Sequence, residues 1–156
     1  YIPPVKYQLS LVKNILTNVN SPNYFHGDFI LDNIIEKDGK FTLIDWRQEF
    51  GGGEVGDVYY DLAKLNHGLT FDIASSNHYK VDFNKEGIEV DIFRSDKLAR
   101  CREVLYDFLK ECNYDIKKVE ILTSLIWINM APLHEGDLKT FLFYFGKFYL
   151  NKYYVS

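Results

Sequence analysis

The chain has 156 residues, enough for one domain with a buried core, and Phe and Tyr at 12 each carry much of its apolar bulk. A formal net charge of −4 speaks against a general nucleic-acid binder, which needs a basic face. No apolar run reaches the ~18 residues of a membrane span and no signal peptide is evident, so neither a membrane partner nor export is expected.

Tyr1 to Pro4 reads as an extended lead-in, because proline disfavours helix in the residue before it. From Val5 to Val19, Leu9, Val12, Leu16 and Val19 recur at steps of three and four, with Ile15 widening the stripe, which predicts an amphipathic helix. Ser21-Pro22 ends it. Tyr24 to Asp28 is a short apolar approach to a polar loop. Asn33–Glu36 and Phe41–Asp45 read as strands, and Asp38-Gly39 between them is a strong hairpin signal. Gly51-Gly52-Gly53 is a flexible link. Gly56-Asp57 opens a helix to about His67, with Asp57 as N-cap and Gly68 as its stop.

Asn77 to Phe93 alternates twice around Asn84-Lys-Glu-Gly87 and predicts a second hairpin. Ser95 caps a helix with Leu98, Cys101, Leu105, Phe108, Leu109 and Cys112 on one face. Asp115 caps the next, which Pro132 ends, and Glu135 to about Lys152 is the last. Cys101 and Cys112, eleven residues apart on one helix at ~1.5 Å per residue, are too distant for a bridge that needs Cα atoms within about 7 Å. They read as buried or half-buried thiols in a reducing compartment. His67, His78 and His134 show no zinc-ligand spacing. The sum is one α+β domain, mainly helical, with two short hairpins.

Three polar residues, Asp28, Asn33 and Asp45, stand where apolar segments begin or end. Phosphoryl transfer needs such groups: a base near the attacking hydroxyl, and oxygen ligands for a divalent cation that otherwise keeps water and substrate phosphates. The pattern His26-Gly-Asp28-x-x-x-x-Asn33, then Leu-Ile-Asp45-Trp46, then Gly56-Asp57-x-x-x-Asp61-Leu-Ala63 resembles the aminoglycoside phosphotransferase and choline kinase-like superfamily. That superfamily is related to protein kinases, whose catalytic loop and metal-binding triplet occupy analogous places. The motif covers about a quarter of the chain. Asp32 departs from it and reads as a solvated loop acid.

The resemblance implies the C-terminal lobe of a protein-kinase-like fold, with a catalytic hairpin and a second, inserted one. Asp28 would be the catalytic aspartate, and Asn33 and Asp45 would bind Mg²⁺. Asp57 would hold the catalytic loop by accepting backbone N–H bonds, with His26 buried and Asp61 helping the same scaffold. Trp46, Tyr59 and Tyr60 are candidates for an acceptor pocket. The implied activity is ATP- or GTP-dependent phosphorylation of a small-molecule hydroxyl on a sugar, an amino alcohol such as choline, or an aminoglycoside, in the cytoplasm. A Gly-rich loop and a strand Lys with its helical Glu are missing, so the N-terminal nucleotide-binding lobe is expected elsewhere in a longer parent chain, as this lobe's partner. The alternatives are a non-catalytic kinase-like binding or regulatory module, or an interaction domain built on aromatic helices. The Asn77–Phe93 hairpin is expected to border the acceptor pocket, contact a partner, or be surface ornament.

Overall fold

The computed structural model describes residues 2–18, 24–49, 55–71, 79–84 and 87–155. The glycine link at 51–53, the Ser21-Pro22 stop and His78 lie outside the described residues. Among the described residues the α-helices are α1 (Val5–Thr17), α2 (Val58–Thr70), α3 (Asp96–Glu111), α4 (Ile116–Met130) and α5 (Gly136–Val155). The strands among these residues are β1 (Ile34–Lys37), β2 (Lys40–Leu43), β3 (Tyr79–Asn84) and β4 (Gly87–Ile92). They pair only as β1–β2 and β3–β4 among the described residues, both antiparallel, so the chain is α+β and mainly helical. No described helix is long and apolar enough to cross a membrane.

The organising helix is α4. It buries residues around most of its circumference, including Val119, Ile121, Thr123, Ser124, Ile126 and Trp127. A helix apolar on so many sides belongs inside. On one side it meets α5, where Trp127, Phe141, Leu142 and Phe145 close over Phe71. Gly146 makes that approach close: a Cβ there would stand 2.7 Å from the Ser124 carbonyl oxygen and from Ile128 Cγ1. Gly146, which interrupts the last apolar stretch in the sequence, is therefore where two helices touch. On another side α4 meets α2 and α3 through Val119, Leu62, Leu69, Leu105 and Leu109. Asp115 and Ser95 cap α4 and α3 as expected, accepting from Lys118 N and Leu98 N.

Several expectations need correction. In α1 the buried residues are Gln8 and Val12, whereas Leu9 is exposed. The stripe is rotated because the Gln8 amide donates to the Lys147 carbonyl of α5 at 2.9 Å, which offsets the cost of its burial. Gly68 does not stop α2. The helix runs on to Thr70 because Leu69 and Thr70 are buried, Thr70 Oγ1 donates to Asn66 O at 2.8 Å, and Phe71 beyond enters the aromatic core. Tertiary packing outweighs the roughly 1 kcal/mol helix penalty of one glycine. On α3, Leu105 and Leu109 are buried, but Phe108 is exposed and Cys112 is the exposed residue after the last turn. Cys101 is half-buried and both thiols are free.

The hairpins form close to the expected limits. Lys37 faces Lys40 across a two-residue loop in which Asp38 (φ 52°) and Gly39 (φ 74°) are both left-handed, the turn that Asp-Gly favours. β2 ends at Leu43, so Asp45 stands beyond the strand. Tyr79 faces Ile92 in the second hairpin, whose Val81, Val90 and Ile92 pack on the aromatic core.

Candidate functional site

The site is built from one loop, the exit of the first hairpin and the first half of α2. Phe25, His26 and Gly27 are buried, and Gly27 takes φ 80°, a conformation that glycine adopts without strain. A Cβ on Gly27 would stand 2.8 Å from Arg47 Cβ, so the absence of a side chain lets Arg47 lie against the loop. The His26 ring bridges two segments. Its Nε2 lies 2.8 Å from the Ile44 carbonyl oxygen and its Nδ1 is 3.3 Å from Asp28 N. One neutral tautomer satisfies both, with Nε2–H donating to Ile44 O and Nδ1 accepting from Asp28 N–H. The Trp46 ring covers His26 at 4.8 Å between centroids, and Arg47 N donates to His26 O at 2.9 Å.

Asn33 closes the loop. It ends a 3-10 turn over Leu31–Asn33, is buried, and donates from Nδ2 to the Asp28 carbonyl at 2.9 Å. Its own carbonyl accepts from Ile44 N at 3.0 Å. Asp45 follows directly, exposed and at φ 59°. Few non-glycine residues take that conformation, aspartate among the more tolerant, and such positions cluster at functional sites. The segments of Asp28, Asn33 and Asp45 are thus tied together, by Asn33 Nδ2 donating to Asp28 O and Ile44 N donating to Asn33 O.

Helix α2 supplies the grip. Asp61 is buried, and its carboxylate accepts from His26 N at 2.6 Å and from Gly27 N at 2.9 Å. Hydrogen bonds to a charged acceptor contribute about 1.5–3 kcal/mol each, so this clamp fixes the loop backbone just before Asp28. The backbone-holding role expected of Asp57 therefore falls to Asp61. Asp57 instead caps α2 by accepting from Tyr59 N and forms an ion pair with buried Lys118 at 2.5 Å. It joins α2 to α4.

One turn beyond Asp61, Lys64 places its ammonium 2.7 Å from Asp28 Oδ1. Lys64 is 12% and Asp28 21% exposed, so the pair is half-shielded from water. The ammonium approaches Oδ1 off the hydrogen-bond direction, which makes the contact an ion pair. The sequence analysis did not single out Lys64. Its spacing of three from Asp61 puts both side chains on one helical face, and that was the available signal.

The three aromatic candidates separate. Trp46 stays at the site, half exposed, with Nε1 donating to Leu43 O at 3.1 Å. Tyr60 is half-buried beside the loop, and burial raises its hydroxyl pKa, with the charges of Arg47, Asp28 and Asp61 all within reach. Tyr59 points elsewhere: its OH accepts from Asp115 N at 2.9 Å, its ring meets Tyr114 edge-on, and Lys118 lies over it. It braces the start of α4 and is withdrawn from the pocket set. Asp32 is exposed in the 3-10 turn. Behind the site, His67 is buried, and burial together with the Lys64 charge pushes its pKa down to about 3, so it stays neutral near pH 7.

Among the described residues no group of three or more His, Cys, Asp or Glu is arranged to hold a metal. Asn33 and Asp45 each carry a side-chain oxygen, and their segments are joined by the Ile44 N to Asn33 O bond. Because the Asn33 amide nitrogen is committed to Asp28 O, its Oδ1 is left to act as a ligand. One carboxylate and one amide oxygen fit Mg²⁺ held mainly by substrate phosphates and water. No family model, curated protein or solved structure matches the chain.

Proposed function

We propose that this chain is the catalytic, substrate-binding lobe of a kinase-like phosphotransferase. It would transfer the γ-phosphoryl group of ATP or GTP to a hydroxyl of a sugar, an amino alcohol or an aminoglycoside. The observation that carries this reading is the Asp61 clamp on His26 and Gly27, which holds the loop so that partly exposed Asp28 follows a fixed backbone. A structural turn aspartate does not require a buried carboxylate from another helix to immobilise the two residues before it.

In this reading the free carboxylate oxygen of Asp28 accepts the hydrogen bond of the acceptor hydroxyl, orients the oxygen in line with the phosphoryl group, and takes its proton as the new O–P bond forms. Asn33 and Asp45 would hold Mg²⁺, which neutralises phosphate charge when bound. Arg47, lying against Gly27, adds a cation beside the same loop. Trp46 and Tyr60 border the acceptor. The nucleotide is gripped by an N-terminal lobe of the same parent chain, and the exposed Leu31, Ile35, Phe41 and Trp46 leave apolar surface around the hairpin for it. The location that fits this nucleotide chemistry is the cytoplasm.

The test is acceptor-dependent nucleotide consumption by the protein carrying this segment with its nucleotide-binding lobe, screened against sugars, amino alcohols and aminoglycosides. Turnover with one acceptor class is expected. Nucleotide binding without turnover on any class would leave the non-catalytic module as the reading.

A further inference from the structure

We propose that Lys64 is the positioning residue of the transfer reaction, fixing one oxygen of Asp28 so that the other alone addresses the acceptor hydroxyl. This rests on the phosphotransferase reading and goes beyond the motif that suggested it, which contains no lysine at this place.

The geometry is specific. Asp28 Oδ1 is buried and sits 2.7 Å from the Lys64 ammonium. The remaining exposure of the side chain leaves Oδ2 as the oxygen that a substrate can reach. A carboxylate with two equivalent free oxygens can rotate about its last bond, whereas one anchored through Oδ1 cannot turn without breaking an ion pair in a partly dry site. Near-attack geometry is sensitive to small displacements, and anchoring the base is a direct way to hold it.

Lys64 is itself well held. It stands three residues after Asp61 on α2, and Asp61 fixes the loop that carries Asp28. The same helix therefore sets both the backbone and the side chain of the candidate base. On the other side of Lys64, one turn along α2, His67 is neutral near pH 7 because burial dominates its protonation. His67 therefore adds no positive charge to repel the Lys64 ammonium, which pairs with Asp28.

The experiment compares Lys64→Met, Lys64→Gln and Lys64→Arg with the parent protein, each alone and with Asp28→Asn, with folding checked by thermal melting. Lys64→Met and Lys64→Gln are expected to lower kcat by about 10²-fold, the scale at which removing one preorganised contact acts, with KM for the acceptor changed less than about 3-fold. Arg restores most of the rate, because it keeps the charge. In the Asp28→Asn background Lys64→Met should add nothing, since Lys64 acts through Asp28. Two results overturn the inference alone: full kcat in folded Lys64→Met and Lys64→Gln proteins, or an undiminished additional loss on top of Asp28→Asn. If Asp28→Asn itself leaves turnover intact, the phosphotransferase reading falls and this inference falls with it.

Discussion

The two hairpins are built from the same unit and held in opposite ways. β3–β4 is fixed by apolar contact. Alternate residues of β4 are half-buried, Val81, Val90 and Ile92 rest on the aromatic core, and the Tyr79 ring stacks on Phe141 at 4.8 Å. β1–β2 keeps most of its residues exposed, and its exit is held by single polar contacts such as His26 to Ile44 O and Ile44 N to Asn33 O. Apolar packing is forgiving in direction and sums over area. A polar lace is specific in direction and fails when one member is lost. The first hairpin therefore suits a site whose atoms must be placed, and the second suits a brace.

Removing the Asp61 carboxylate should separate the two regions most strongly. Asp61→Ala leaves the buried His26 and Gly27 N–H groups without acceptors. The expected cost is roughly 3–6 kcal/mol in chemical denaturation, from two charge-assisted hydrogen bonds. Amide exchange should accelerate at His26 and Gly27 before it does in β3–β4. A variant that destabilises both hairpins equally would show that the clamp is not local.

Tyr79→Ala is the converse change. Losing a half-buried aromatic stack should lower stability by about 2–3 kcal/mol while leaving kcat of the folded protein within about 2-fold. A large kcat loss at preserved fold would place the second hairpin in the acceptor site.

His67 lies at the joint, one turn beyond Lys64 and 6.0 Å, ring to ring, from Trp127 of the aromatic core. Its ordinary pKa of 6.5 drops to about 3 in the folded protein, mainly through burial, with Lys64 lowering it further and Asp28 opposing. Between those values the unfolded chain binds the proton and the folded chain does not. Stability therefore rises with pH across that window, and the His67 contribution is lost as pH falls from about 6.5 toward 3. At pH 5 the loss relative to neutral pH is roughly 1–2 kcal/mol. His67→Leu should flatten this part of the stability profile in urea titrations. An unchanged slope would move the acid sensitivity to other groups.

The same contrast explains what the sequence made legible. The period-two alternation of β3 and β4, the Asp38-Gly39 turn and the Ser95 and Asp115 caps are local patterns, each set by neighbouring residues, and they formed where they were read. The Asp61 clamp joins residues 34 and 35 apart in sequence, and no local pattern distinguishes it from the neighbouring cap Asp57. Lys64 was hidden for the same reason, because its meaning depends on a loop folded over from before the hairpin. The buried face of α1 and the stop at Gly68 were misread where burial against another helix outweighed polarity or propensity.

Turnover of Asp28→Asn tests the central claim most directly, because it removes the carboxylate charge while keeping size and loop backbone. It should be measured in the protein that carries both lobes, with nucleotide binding followed in parallel. The account predicts that acceptor-dependent turnover falls at least about 10³-fold while nucleotide affinity stays within a few-fold. Turnover within a few-fold of the parent protein would contradict it.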